Sequence, residues 1–344
     1  MLPKIIKKDD LRAFVEVLLA QNVVVAPTRK GIKYAFNTVE NFDEIALDYN
    51  TALLSPRKYF YPQSETVLKY TLGEQPTAEA VVESSPRIIL GMHPCDIAAT
   101  WLLDVVFSDD PADPNYLEKR KKAVVIGLNC NKPCDEFCFC KDMKTYNATE
   151  GFDLMLTDLS DRYFVEVGSD TGESLLVEGA QFADAGASDL KALQDWQDAK
   201  EKNFVNRIPY DTKFLPEILG QSDDSLVWQA IARKCFSCGS CNTTCPTCYC
   251  FNIKDHLSAS LAEGTRKRYW DSCQLGEFAE VAGGENFRKD RSARLRHRFN
   301  RKGKWLLERY GKLGCVGCGR CDRNCLVKIN SVEVYTQLAG ERVK

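Results

Sequence analysis

Hydrophobic positions along the chain change period at about residue 222. Leu11, Phe14, Val15, Leu18 and Leu19 recur at i, i+3, i+4, i+7 and i+8, the spacing of an amphipathic helix, with Asp9 or Asp10 placed to cap it. VVVAP (23–27) and IKYAFNTV (32–39) predict a strand pair around the turn Arg29-Lys30-Gly31. RIIL (87–90) and AVVIGL (123–128) are short, unbroken apolar runs rich in β-branched residues, as in strands buried on both faces of a parallel sheet. A helix from about Asp96 to Phe107 follows the first of them. DLMLTDL (153–159) and YFVEVG (163–168) predict a hairpin around Ser160-Asp161-Arg162, and 188–206 reads as a charged, exposed helix. From about 222 the pattern turns helical. SLVWQAIARKC and GKWLLERYGKLGC each lead into a cysteine loop, with few strand signals between them. The expected fold is α+β: a mixed α/β domain over 1–212, then a mostly helical two-cluster ferredoxin domain over 222–344.

Composition sets bounds on this picture. The 344 residues suit two domains, and 44% hydrophobic residues suffice for ordinary cores. A net charge of −2 implies no global field for nucleic acid or membrane. No run approaches the length of a membrane span, and Arg12 and Glu16 interrupt the first apolar stretch, so no secretory signal is read there. Sixteen cysteines, mostly at metal-type spacings, require a reducing compartment. A cytoplasmic protein from a setting low in oxygen is expected.

The cysteines carry the chemistry. Cys235, Cys238, Cys241 and Cys245, then Cys315, Cys318, Cys321 and Cys325, both follow the C-x2-C-x2-C-x3-C spacing of bacterial ferredoxins. Three thiolates two residues apart wrap a loop around three corners of a cubane, and Gly239, Gly317 and Gly319 let the backbone come close. The fourth cysteine of each run crosses to the other cluster. The expected ligands are therefore Cys235, Cys238, Cys241 and Cys325 for one 4Fe–4S cluster, and Cys315, Cys318, Cys321 and Cys245 for the other. Zinc sites pair two C-x2-C knuckles, and a third cysteine at the same step, repeated twice, departs from that pattern. Leu326 stands where a proline usually follows the last cysteine.

Cys130, Cys134, Cys138 and Cys140 follow the strand at 123–128, and Cys95 follows the strand at 87–90. Loops at the carboxyl ends of neighbouring parallel strands converge, so a third cluster is expected on Cys95, Cys130, Cys138 and Cys140, with Cys134 as a substitute. Zinc and unliganded thiols are the alternatives. Cys248, Cys250 and Cys273 lack a clear fourth partner and are read as packing around the clusters. Val281–Arg288 is read as a plain turn rather than an anion nest. No nucleotide motif occurs, and His93, His256 and His297 are too scattered for a metal triad. Residues 286–312 carry eleven Lys or Arg and two acids, which suits an acidic partner or charge compensation of anionic clusters better than nucleic acid.

From about residue 85 onward the chain resembles the iron–sulfur beta subunit of cytoplasmic sulfhydrogenases (NiFe hydrogenase/sulfur reductase) and, equally, the iron–sulfur subunit of anaerobic sulfite reductase. The residues that carry the resemblance are HPCDIAA (93–99), CFC ending at Cys140 and followed by Lys-Asp-Met143, GFDLMLTDL (151–159), CFSCGSCNTTCPTCYC (235–250), WDSC (270–273), VAGGENFR (281–288) and CVGCGRC (315–321). Lys-Thr-Tyr follows Met143 where a Gly-Thr-Gly-like turn is common in the family. The resemblance implies a hetero-oligomeric electron-transfer subunit. It would sit beside an FAD-bearing NAD(P)H oxidoreductase subunit and serve a hydrogenase, a sulfite or sulfur reductase, or a heterodisulfide-reductase-type complex. No residue is expected to act as acid, base or nucleophile. Three rival readings are an enzyme reducing disulfide or sulfur at its own cluster, a zinc-bearing binding module, and an α/β domain that itself carries flavin.

Overall fold

The computed structural model describes residues 2–176 and 181–341. The fold is α+β and holds two sheets. The larger has eight strands in the order β10-β1-β9-β8-β7-β6-β2-β3. These are β1 (Lys4–Lys7), β2 (Val24–Lys30), β3 (Lys33–Val39), β6 (Arg87–Met92), β7 (Ala123–Leu128), β8 (Leu154–Asp158), β9 (Arg162–Val167) and β10 (Ala183–Asp184). The central strands β2, β6, β7 and β8 run parallel, while β3 and β9 return antiparallel as the predicted hairpins. Ile88, Ile89, Leu90, Val125, Ile126 and Leu154 fill one core with Leu11, Phe14, Val15 and Leu18 of the helix Lys8–Gln21. Each such fully buried side chain contributes about 1.5–3 kcal/mol. That helix starts earlier than expected. Lys7 is its N-cap and makes no side-chain bond, so Asp9 and Asp10 lie in the first turn, favourable to the helix dipole, instead of capping it.

The second sheet is not legible in the hydrophobic pattern. Strands β4 (Ser64–Thr71) and β5 (Thr77–Ala80) pair with a hairpin of β11 (Phe251–Leu257) and β12 (Glu263–Trp270), in the order β11-β12-β4-β5. The hairpin lies between the two cysteine motifs, where the sequence predicts few strands. Every residue of β11 is exposed: Phe251, Ile253 and Leu257 alternate along it but lie open to solvent, and Asp255 breaks the series. Its pairing with β12, and that of β12 with β4, ties together segments from either side of residues 212–222.

A buried ion network fastens this sheet to the helix Pro114–Lys121 and its N-cap Asp113. Glu65 accepts from Lys119 at 2.7 Å and from Arg268 at 2.6 Å, and Asp113 also pairs with Arg268. Replacing Glu65 by glutamine removes the shared anion from two buried cations, of which only Arg268 keeps Asp113. We expect a loss of about 2–3 kcal/mol in chemical unfolding. A change below about 0.5 kcal/mol, the level of ordinary surface pairs, would show the network to be idle.

The remaining helices build a separate core. Leu215 and Leu219 of Leu215–Gly220, Trp228 and Ile231 of Leu226–Lys234, Leu295 and Phe299 of Arg291–Asn300, and Tyr335 and Leu338 of Ser331–Gly340 pack together with Phe139 and Met143. The charged helix is observed at Ala187–Asn203. Among the described residues no helix is long and apolar enough to cross a membrane.

Candidate metal centres

The strand order brings the N-terminal cysteines together. Strands β6 and β7 are parallel neighbours, so the residues following them emerge on one edge. Pro94 opens the helix Pro94–Ser108 directly after β6 and sets Cys95 and Asp96 in its first turn. Cys95, Cys138 and Cys140 are buried against Val316 and Cys318 of the second motif, with Cys130 and Cys134 packed at the margin. The Cys138 and Cys140 Sγ atoms lie 3.3 Å apart. Hydrogen bonds from Cys134 and Cys140 hold the Cys138 thiol well below its ordinary range, whereas burial pushes Cys130 up to about 12. All five cysteines therefore share one neighbourhood, in which Cys134 and Cys130 are alike in lying at the margin.

The two motifs lie against each other. Cys235, Cys238, Cys241 and Cys325 line a common cavity, which Cys321 also reaches. Cys245, carried by the first motif, lies within electrostatic reach of Cys315, Cys318 and Cys321. A hydrogen bond with Cys248, then the charges of Lys302 and Arg298, hold Cys245 well below the ordinary thiol range. Burial pushes Cys241 and Cys315 up to about 12 and Cys318 to about 11. As bare thiols these three residues keep their protons, and a metal must displace them to bind.

The second motif and the 130–140 loop meet backbone to backbone. The Phe139 N–H donates to the Gly317 carbonyl at 2.7 Å. Gly317 has φ +63°, and a Cβ there would stand 2.5 Å from the Phe139 carbonyl oxygen. Gly319, at φ +69°, is as close to Phe137. Sequence reasoning assigns these glycines to the approach of a cluster; the structure shows that they also admit a neighbouring loop. Arg320, between Gly319 and Cys321, is 1% exposed and grips Asp96 with two bonds of 2.6 and 2.7 Å. Arg323 pairs with Asp135 of the loop.

The surrounding charge suits thiolate-bound clusters. Lys200 is 2% exposed, its Nζ has no hydrogen-bond partner, and Cys130 and Cys140 are the foremost sources of favourable charge. Arg298 is buried with its Nε unpartnered and lies in the field of Cys241, Cys321, Cys245 and Cys248. Buried Lys302 donates to the Thr247 hydroxyl at 2.6 Å. Part of the basic stretch at 286–312 thus faces inward, toward the cysteines, as the charge-compensation reading expects. Sequence reasoning misses Lys200 because the thiols it faces are sixty or so residues away in the chain. Val281–Arg288 is a turn closed by bonds from the Val281 N–H to the Glu285 carbonyl and from the Gly284 N–H to the Val281 carbonyl. His93 is buried and stacked on Tyr49 at 4.2 Å. Among the described residues no three His, Cys, Asp or Glu side chains close around a point as a single metal ion would require.

Two adjoining ferredoxin loops on an α+β scaffold define an iron–sulfur protein with two 4Fe–4S clusters. The family described as 4Fe-4S dicluster domain matches residues 234–329. The chain is 35% identical over 316 residues to sulfhydrogenase 2 subunit beta of Pyrococcus furiosus, covering 92% of each chain. It belongs to the family of sulfhydrogenase beta subunits. No solved structure matches it significantly.

Proposed function

We propose that this chain relays single electrons between a flavin-bearing NAD(P)H oxidoreductase subunit and a redox catalytic subunit within a hetero-oligomer. The catalytic partner would be a hydrogenase, a sulfite or sulfur reductase, or a heterodisulfide-reductase-type enzyme. Iron–sulfur clusters pass single electrons and nicotinamides pass hydrides, so a flavin must stand between them. The observation that carries the reading is the unbroken row of cysteine groups. Cys245 of the first motif lies within electrostatic reach of Cys315 in the second, and the second packs against the 95/130–140 group. At the outer end Cys238 is exposed, with Phe236 and Leu326, 64% and 71% exposed, on the same cavity.

In this reading Cys235, Cys238, Cys241 and Cys325 hold one cluster, and Cys315, Cys318, Cys321 and Cys245 the other. Cys95, Cys130, Cys138 and Cys140, with Cys134 as substitute, hold a third within the 1–212 domain, and the first two belong to the 222–344 domain. The clusters supply reversible one-electron chemistry. The chain supplies thiolates, N–H···S bonds such as Gly317 N–H to Cys315 Sγ at 3.4 Å, and the buried cations that balance them.

Two measurements test this. Cys138→Ser should remove about four iron atoms per chain relative to the parent, with matching sulfide, while the reduced EPR signals of the other clusters persist. Unchanged iron would remove the third cluster. For the relay, NAD(P)H should reduce the clusters only when the flavin subunit is present. Catalytic-subunit reduction that proceeds equally well without this chain would overturn the assignment.

A further inference from the structure

We propose that Cys248, Cys250 and Cys273 hold an additional iron–sulfur cluster, in a cavity of about 400 Å³ beside the first motif. The inference rests on the iron–sulfur reading above but not on the third cluster at Cys95 and Cys130–Cys140.

The three thiols come from two distant segments that the 251–270 hairpin brings together. Cys248 and Cys250 immediately precede β11, and Cys273 follows β12 by three residues. The strands pair Phe251 with Trp270, and the Asp271 N–H donates to the Cys250 carbonyl at 2.9 Å. The two chain ends are thereby clamped, and Asn242 Nδ2 reaches the Sγ atoms of both Cys250, at 3.9 Å, and Cys273, at 3.0 Å. The Cys248 N–H donates to the Cys245 carbonyl at 3.4 Å, so the site adjoins the cysteine row already described.

The surroundings favour anionic sulfur. The Asn242 side-chain amide donates to Cys273 Sγ at 3.0 Å, and the Gln274 amide lies 3.6 Å from the same atom. Such N–H···S bonds stabilise a metal-bound thiolate. Arg288, Arg298, Arg301 and Lys302 line the cavity, and no carboxylate does. None of these four forms an ion pair among the described residues, and the Nε atoms of Arg288 and Arg298 have no partner. Arg298 and Lys302 are buried and Arg288 and Arg301 half-buried; burying cations without counter-charge is costly, and a thiolate-bound cluster supplies that charge. Arg298 and Lys302 also face the ferredoxin cysteines, so the charge left for this site to balance is that of Arg288 and Arg301. A redox-active Cys250–Cys273 dithiol would leave Cys248 unexplained. No fourth cysteine lines the cavity, so one iron takes a donor other than cysteine.

The test uses the full chain, prepared anaerobically with the subunits that co-purify with it. Cys273→Ser should lose about four iron atoms and as many sulfides if the cluster is a cubane. Cys138→Ser should remove a separate set, and the double variant both. A loss in Cys273→Ser but not in Cys138→Ser would sustain this site while removing the third cluster of the previous section, and the converse would do the reverse. Iodoacetamide labelling of the unsubstituted protein, read by mass spectrometry, needs no variant to fold. Half-buried Cys250, with Cys248 and Cys273, should resist labelling until a chelator strips the iron. Full iron in a folded Cys273→Ser variant, prompt labelling of Cys250 in the loaded protein, or recovery of a Cys250–Cys273 disulfide would each overturn the proposal.

Discussion

Asp96→Ala is expected to destabilise the protein by about 3–5 kcal/mol, the cost of leaving one partner of a buried ion pair alone. Arg320 and Asp96 are each 1% exposed at the side chain, and their two bonds are short and parallel. Arg320 Nε is separately engaged by the Ala52 carbonyl at 3.0 Å, so the guanidinium cannot swing out to water without breaking that bond as well. Removing Asp96 strands a cation between Gly319 and Cys321, in the middle of the second motif. Because Cys95 adjoins Asp96, both cysteine groups should loosen together, and iron should be lost from each. The double variant Asp96→Ala/Arg320→Met should recover part of the loss, since burying no charge is better than burying one. Chemical unfolding and iron content, measured on both variants, decide the matter. A single-variant loss below about 1 kcal/mol, with full iron, would show that the pair is not what locks the two groups.

Gly317→Ala is expected to strip iron from the second motif and from the 95/130–140 group. Two costs add. The left-handed backbone at φ +63° disfavours any Cβ by about 1–2 kcal/mol. That Cβ would also meet Phe139 O at 2.5 Å and Cys140 Cα at 2.7 Å, which are backbone atoms with no rotamer by which to escape. The loops would have to part, and the Phe139–Gly317 hydrogen bond would go with them. Gly311→Ala serves as the control. Gly311 has φ +74° but nothing within 4 Å of an added Cβ, so only the conformational cost applies and iron should be retained. If both variants keep their iron, the close approach of the two loops does not matter for loading. If both lose it, backbone strain alone is the cause.

Much of the larger sheet is legible in the sequence because its signals are local. The runs at 87–90 and 123–128 are apolar on both faces, and only a strand in the middle of a covered sheet buries both. Their parallel pairing follows from the helix between them, and that pairing places Cys95 near the 130–140 loop. The 251–270 hairpin escapes because its side chains are mostly polar and exposed. What holds it is pairing with β4, about two hundred residues earlier in the chain. Without that pairing visible, Cys273 has no neighbour, and its thiol reads as mere packing.

By itself the sequence determined the cluster chemistry. Cysteines two residues apart can present three thiolates only around a common centre, and that constraint lies within one short loop. The tertiary structure alone decided how the loops are arranged. Gly317 and Gly319 admit the 137–140 backbone, Arg320 finds Asp96 from 224 residues away, and Lys200 and Arg298 are buried beside thiols. These contacts join residues far apart in sequence. Their energy comes from desolvated charges and close packing, which arise only once the chain has folded and which no periodicity along it records.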